Sequence, residues 1–365
     1  MLFSTFDHVA MTRALRLAER GAYTTKPNPM VGCVIARDEI IIGEGFHVRA
    51  GEPHAEVLAI ASAGEDVRGS TAYVTLEPCA HFGRTPPCAD ALIAAGVARV
   101  VIASLDPFPQ VNGQGAQRLR DAGIQVDVGL LENDARELNR GYYSRLSRGR
   151  PWVTLKLASS MDGHTALSSG ESKWITSDAS RRDVHHYRAR VGAIVTGAGT
   201  VLQDDPQLSA RLQGNVDVVQ PLRVVLDPGL ATVGRGKIRD DSAPTLYVHA
   251  PNTKVPRDLK VELVSAPVTG NLFNLLSVLH MLAARQINEV LVETGATLAG
   301  AFLNAKLVDE LVVYQSPVLL GSGARPLFDN VDITTMAERI TLHRTDVRVL
   351  GEDLRITYRP QESIA

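Results

Sequence analysis

The sequence predicts an α/β protein built from two consecutive layered domains, and three observations carry that prediction. At 365 residues the chain exceeds the usual single-domain size. Short β-branched apolar runs alternate with segments of helical period, as expected of strands and helices stacked in layers. A basic, poorly periodic stretch from Asn139 to Pro151 separates two such series. The boundary is placed there, between domains of residues 1–145 and 150–365.

The first series begins with residues 6–20, whose apolar side chains at helical spacing include Val9, Leu15 and Leu17; a packing helix ends before Gly21. Pro27-Asn28-Pro29 then stiffens a loop feeding a hairpin of Val31–Ile35, a turn at Arg37-Asp38-Glu39, and Ile40–Gly43. Asn28, fixed between prolines, has an amide that donates and accepts, as recognition of a pyrimidine edge requires; a simple Asx turn explains it equally well. His47 follows the hairpin and can face the same pocket. Pro53 suits the first turn of the next helix, with His54 and Glu56 inside that turn. A strand at Thr71–Leu76, a helix at Pro87–Ala95, a strand at Ala98–Ala103, a helix at Gly113–Ala122 and a strand at Ile124–Val128 complete this half.

The second series opens with a strand at Trp152–Ala158 and an Asp-Gly turn at Ser159–Gly163. A helix follows from Asp178, read as its cap, to Arg190. Strand Val191–Thr196 runs into Gly197-Ala198-Gly199-Thr200, a loop whose backbone can approach a phosphate. Leu202 stands where a third Rossmann glycine would be needed, so no Rossmann fold is inferred. Strand Glu289–Glu293 leads through Thr294-Gly295-Ala296-Thr297 into a helix containing Leu298 and Phe302, and its small residues leave amides free for an anion. Arg188 and Arg211 are candidate phosphate partners, although each alone is more often half of a surface ion pair.

One constellation stands out chemically. His54, Cys79 and Cys88 offer one imidazole and two thiolates, a donor set suited to zinc. Three protein ligands leave a fourth tetrahedral position open, which marks a catalytic metal. Glu56, two residues after the histidine, is placed to exchange protons with a water whose pKa zinc has lowered, and then to protonate a leaving amine. The pattern is that of zinc deaminases, H-x-E followed by P-C-x-x-C, except that eight residues separate the cysteines here. His81 in that intervening loop is a competing ligand, but substrate contact or plain exposure suits its Gly/Pro-containing setting better.

Composition narrows the class. Lys plus Arg number 38 against 40 Asp plus Glu, so no global basic field points to nucleic acid. Cys33 is left alone in an apolar run, which argues against a disulfide framework and for a reducing compartment. The start has no signal-peptide pattern and no stretch suits a bilayer span, so a cytoplasmic protein without membrane partners is expected.

Taken together, Pro27-Asn28-Pro29-Met30-Val31-Gly32, His54-Ala55-Glu56, Thr75-Leu76-Glu77-Pro78-Cys79 and Gly83-Arg84-Thr85-Pro86-Pro87-Cys88 resemble the bacterial bifunctional riboflavin-biosynthesis deaminase/reductase family. In the second half, Lys156 to Gly163, Ser172-Lys173-Trp174-Ile175-Thr176, Thr200 through Asp204-Asp205-Pro206, Leu208 to Arg211, and Val292 to Gly295 carry the same resemblance. It implies a cytidine-deaminase-like three-layer α/β domain followed by a dihydrofolate-reductase-like α/β domain. The implied activities are deamination of a phosphoribosylamino-diaminopyrimidinone and NADPH-dependent reduction of its ribosyl group to ribityl.

The resemblance also implies one zinc on His54, Cys79 and Cys88, proton shuttling by Glu56, and substrate contacts from Asn28, His47 and Asp106. Ala158, Trp174, Thr200, Asp204 and the segment Gly295, Ala296, Thr297, Leu298, Ala299, Gly300 and Ala301 would line NADPH. Ser172, Arg188, Leu208, Arg211 and Glu293 would line the phosphoribosyl group, and Lys156 is an electrostatic or proton-relay candidate. A homo-oligomer is implied as well. Two positions depart from the family: Phe108 stands where Asn is common, and Pro228 where a small polar residue is. The rival readings are a nucleoside or RNA deaminase using the basic linker, and a closed structural-zinc module in which Glu56 is dispensable.

Overall fold

A computed structural model describes residues 3–80, 86–256, 261–270 and 272–361. The chain divides into two compact units, Met1–Gly149 and Arg150–Ala365. No helix among the described residues is long and apolar enough to cross a membrane.

The first unit is built on a five-stranded sheet, β1 (Gly32–Arg37), β2 (Ile40–Phe46), β3 (Thr71–Val74), β4 (Arg99–Ile102) and β5 (Gln125–Val128), in the order β2-β1-β3-β4-β5. β1 runs antiparallel to both β2 and β3, whereas β3, β4 and β5 are parallel. Alternation along β1 sends Cys33 and Ile35 to one face and Val34 and Ala36 to the other. The first face packs on α2 (Ala55–Ala63), α3 (Cys88–Ala95) and α4 (Gln114–Asp121). The second packs on α1 (Thr5–Glu19) and α5 (Glu132–Leu138), giving three layers. Val9 is 55% exposed, so α1 turns Ala10, Met11, Ala14, Leu17 and Ala18 inward in place of it.

Two local expectations change. α2 begins at Ala55, and His54 is its extended N-cap and not a first-turn residue. The stretch read as a linker is helical: α6 spans Arg140–Arg148 and buries Tyr142 and Ser144. Its hydrophobic period is weak because the buried stripe includes a tyrosine and a serine, neither strongly apolar, and arginines lie against it: Arg148 donates to Ser144 Oγ and the Arg145 guanidinium sits 5.7 Å from the Tyr142 ring centre.

The second unit contains β6 (Trp152–Ser159), β7 (His164–Ala166), β8 (Ala193–Gly197), β9 (Leu222–Leu226), β10 (Thr245–His249), β11 (Glu262–Ser265), β12 (Val268–Thr269), β13 (Leu272–Phe273), β14 (Glu289–Glu293), β15 (Glu310–Gln315), β16 (Arg325–Pro326), β17 (Leu342–Leu350) and β18 (Asp353–Pro360). Nine of these form one sheet, β11-β10-β9-β8-β14-β6-β15-β18-β17, parallel from β11 to β15 and antiparallel thereafter. The near-continuous apolar runs of β8, β9 and β14 follow from burial on both faces. Helices α9 (Leu275–Ala284) and α10 (Ala296–Asn304) cover one face. α7 (Asp178–Arg190) and α8 (Ala198–Asp204) cover the other, through Val184, Tyr187 and Val201. Ser177, not Asp178, caps α7, accepting from Ser180 N.

α10 packs tightly: a Cβ on Gly300 would lie 1.9 Å from the Asp329 carbonyl oxygen. Because backbone blocks that space, Gly300→Ala is expected to destabilise the second unit by about 2 kcal/mol, lowering its melting temperature by roughly 5 °C in a thermal scan. An unchanged melting temperature would show that α10 can shift at no cost.

Candidate active sites

In the first unit the end of β3 and the starts of α2 and α3 converge. His54 Nδ1 lies 3.2 Å from Cys88 Sγ and 3.8 Å from Cys79 Sγ, and the three ligand atoms all fall within 4.8 Å of one another. Tetrahedral zinc, with bonds of about 2.0–2.3 Å, spaces its ligands by roughly 3.5 Å, so the donor set fits. Cys79 is lowered well below an ordinary thiol, first by accepting a hydrogen bond from Cys88, whose own thiol is pushed up by that donation and by burial.

Glu56, in the first turn of α2, is 3% exposed, and its Oε2 has no hydrogen-bond partner among the described residues. Such a group marks the place of a water or a reactant. Burial raises its pKa, and the negative charge of Cys79 adds to the effect, easing Glu56 toward carrying a proton.

Two walls flank this centre. On one, His47 Nδ1 lies 3.3 Å from the Pro53 carbonyl and Nε2 lies 3.0 Å from Asn28 Nδ2. The carbonyl can only accept, so Nδ1 carries the proton and Nε2 accepts from the amide. Burial lowers the His47 pKa, consistent with that neutral ring. On the other, Asp106 Oδ1 accepts from the Phe108 backbone N–H at 2.8 Å and from Tyr142 Oη at 2.9 Å. Burial raises the Asp106 pKa to about 6. Because Phe108 contributes its main-chain amide, this contact does not depend on the side chain at that departure from the family.

Beneath Asp106 the carboxylate of Glu77 accepts from the amides of Asp106, Gly113 and Ala116 at 3.1, 2.9 and 3.0 Å. α4 therefore approaches so closely that a Cβ on Gly115 would meet the Pro78 carbonyl at 1.9 Å. His81, Gly83, Arg84 and Thr85 lie outside the described residues.

The second constellation occupies the α7 and α8 side of the larger sheet. Parallel pairing sets Lys156 of β6 opposite Glu293 of β14. Glu293 holds Arg188 through two bonds of 2.6 and 2.8 Å, both side chains being largely buried. Arg188 Nη1 also donates to the Ser209 carbonyl at 3.4 Å. Its guanidinium is thus spent mainly on the protein. Burial lowers the Lys156 pKa against the opposing charge of Glu293, and its Nζ stands 5.6 Å from the Tyr314 ring centre.

Arg211 donates through Nη1 to Gln207 Oε1 and Ser209 Oγ, and its backbone N–H donates to His185 Nδ1 at 3.2 Å. His185 is lowered to about 4, by burial first and then by Arg188 and Arg211. A neutral imidazole beside Arg211 leaves that guanidinium as the charge available to an anion, Arg188 being held by Glu293. Leu208 is 2% exposed and belongs to the core, so only its backbone can meet a ligand.

Ser172 Oγ donates to Asp204 Oδ1 at 3.3 Å and Lys173 Nζ to the Asp204 carbonyl at 2.9 Å, tying the loop before α7 to the end of α8. Trp174 is 71% exposed beneath the Arg181 guanidinium, an open aromatic face for a planar group. Gly197 to Thr200 is not a loop: Gly197 is the N-cap of α8, in which Thr200 lies. Ala158, one residue before the end of β6, pairs with Tyr314 of β15. In α10, Ala299 and Gly300 are buried in protein packing, while Gly295 to Leu298 form the cap and first turn. At Pro228, the carbonyl accepts from Ala250 N and Thr253 Oγ1, so this residue binds the strand ends together.

Comparison with known proteins matches residues 4–104 to the cytidine and deoxycytidylate deaminase zinc-binding region and residues 151–356 to the RibD C-terminal domain. The riboflavin biosynthesis protein RibD of Escherichia coli K12 is 46% identical over 358 residues, covering 95% of this chain and 98% of that protein. The chain belongs to the RibD family.

Solved RibD structures agree. That of Acinetobacter baumannii, form 1, superposes with a TM-score of 0.90 at 46% identity, covering 98% of this chain and 99% of the other. A deaminase/reductase from Thermotoga maritima gives 0.88 at 36% identity, with coverage of 98% and 99%. Like its RibD relatives, the protein is a bifunctional enzyme of riboflavin biosynthesis, a deaminase and a reductase in one chain. Within this RibD framework, sequence reasoning passed over Glu77, Asn139, Tyr142 and His185. Only Glu77, inside the zinc motif, had a local signal; the others act through contacts distant along the chain.

Proposed function

We propose that the first unit deaminates 2,5-diamino-6-(5-phosphoribosylamino)pyrimidin-4(3H)-one and that the second reduces the ribosyl group of 5-amino-6-(5-phosphoribosylamino)uracil to ribityl with NADPH, both in the cytoplasm. The deaminase and reductase named for the Thermotoga maritima protein support this substrate pair. The observation that carries the reading is the convergence of His54, Cys79 and Cys88 beside a buried Glu56 oxygen without a partner.

One zinc ion per chain is assigned to those three ligands. When bound it supplies the Lewis acidity that brings a water toward neutral pKa. Glu56 takes the proton at Oε2 and returns it to the departing amine, its burial-raised pKa suiting both halves of that exchange. Asn28, His47 and Asp106 orient the pyrimidine.

NADPH supplies the hydride for the second reaction. Ala158, Trp174, Thr200, Asp204 and the Gly295–Ala301 segment are assigned to the nucleotide, which the cap and first turn of α10 meet while Ala299 and Gly300 hold the helix in place. Ser172, Arg188, the Leu208 backbone, Arg211 and Glu293 are assigned to the phosphoribosyl group. Lys156, eased toward neutrality by burial, relays a proton as the sugar opens.

The test follows ammonia release and NADPH oxidation together on the zinc-loaded full chain given the diaminopyrimidinone. Ammonia should appear before NADPH is consumed. Chelated protein should lose ammonia release yet still oxidise NADPH when the deaminated intermediate is supplied. Ammonia without NADPH consumption would confine the activity to the first unit, and neither signal would favour a nucleoside or RNA substrate.

A further inference from the structure

Helix α6 grips both walls of the deaminase site. From its N-cap, the Asn139 side chain makes a reciprocal pair with the backbone of Met30: Oδ1 accepts from Met30 N and Nδ2 donates to the Met30 carbonyl, each at 2.8 Å. Asn139 is 4% exposed and sits 109 residues from Met30 in sequence. Met30 ends the proline-flanked loop that presents Asn28 to His47. One turn later, Tyr142 Oη donates to Asp106 Oδ1 at 2.9 Å, and Tyr143 Oη donates to Ser104 Oγ and the Leu105 carbonyl at 2.8 and 3.1 Å. The Asn28 loop and the Asp106 loop are thus held to one rigid element.

We propose that Asn139 and Tyr142 are positioning residues for deamination: through Met30 and Asp106 they set the spacing of the two walls between which the pyrimidine binds. The proposal rests on the reading of Asn28 and Asp106 as substrate contacts. Asp106 Oδ1 has two donors, and Tyr142 is the one that comes from outside its own loop. Losing it frees the carboxylate to rotate about its side-chain torsions. A ligand must then pay the ordering entropy that α6 had already supplied.

The test measures KM and kcat for ammonia release by the zinc-loaded full chain carrying Tyr142→Phe, Asp106→Asn or both, with Asn139→Ala as a second probe. Zinc content and reduction of the supplied deaminated intermediate serve as controls. Tyr142→Phe and Asn139→Ala should each raise KM about tenfold, the size of effect expected from one hydrogen bond to a charged or structurally fixed group. Zinc content and reduction should be unchanged. In the Asp106→Asn background Tyr142→Phe should add less than about twofold, because residues acting through one another are not additive.

Additive effects, or a KM for Tyr142→Phe within about twofold of the parent while Asp106→Asn raises it, would overturn the proposal and leave the substrate reading intact. No effect of Asp106→Asn would overturn both. Loss of zinc in Tyr142→Phe would mark a merely structural role and overturn the proposal as well.

Discussion

Glu56→Gln should abolish deamination while leaving the rest of the enzyme working. The substitution keeps the shape of a side chain that is 3% exposed, so α2 should remain intact and zinc content should stay at one per chain. What it removes is the oxygen that holds a proton. A positioned acid/base group contributes about 10²–10⁴-fold, and here one carboxylate serves both directions of transfer, so a fall in kcat of about 10³ or more is expected. NADPH oxidation with the deaminated intermediate should proceed at the parental rate. The measurement is single-turnover ammonia release beside metal analysis; residual deamination within tenfold of the parent would remove Glu56 from the proton path and revive the structural-zinc reading.

Glu293→Ala should produce the largest loss of stability. Arg188 is largely buried and its guanidinium is held by Glu293. Removing the carboxylate leaves an uncompensated buried cation, a defect worth about 3–5 kcal/mol, with Lys156 opposite adding to it. In a unit of this size the melting transition should fall by roughly 10 °C. Replacing both members, Arg188→Met with Glu293→Leu, should restore most of the stability but not reduction. If Glu293→Ala melts within a degree or two of the parent, water must reach the Arg188 site, and the pair is not a buried one.

How much of this was legible in the sequence follows from distance along the chain. His54, Glu56 and Cys79 lie in short motifs whose spacing alone suggests a metal and a proton carrier, and β-branched runs announced the strands of the first sheet but only β6, β8 and β14 of the nine in the second. The Arg188–Glu293 clamp joins residues 105 apart, and only the β6–β14 register brings Lys156 beside them. α6 escaped because its buried face is anchored by hydrogen bonds from tyrosine and asparagine, which a hydrophobic period does not detect. Leu208, Ala299 and Gly300 belong to the family motifs, yet their side chains or Cα positions serve packing. Motif membership does not separate a residue that touches a ligand from one that holds the toucher in place.

The strand order of the second unit bears on how the protein is made. β6 is among the first segments of that unit to leave the ribosome, but its neighbours in the sheet are β14 and β15. Val153, Leu155 and Leu157 therefore have no strand to pair with until residue 289 has been synthesised, a wait on the order of ten seconds at ordinary elongation rates. The five strands of the first unit pair among themselves and are complete by Val128. The nascent chain thus carries a foldable deaminase ahead of a sticky, unpaired reductase strand, and the demand for chaperone protection falls on the second half.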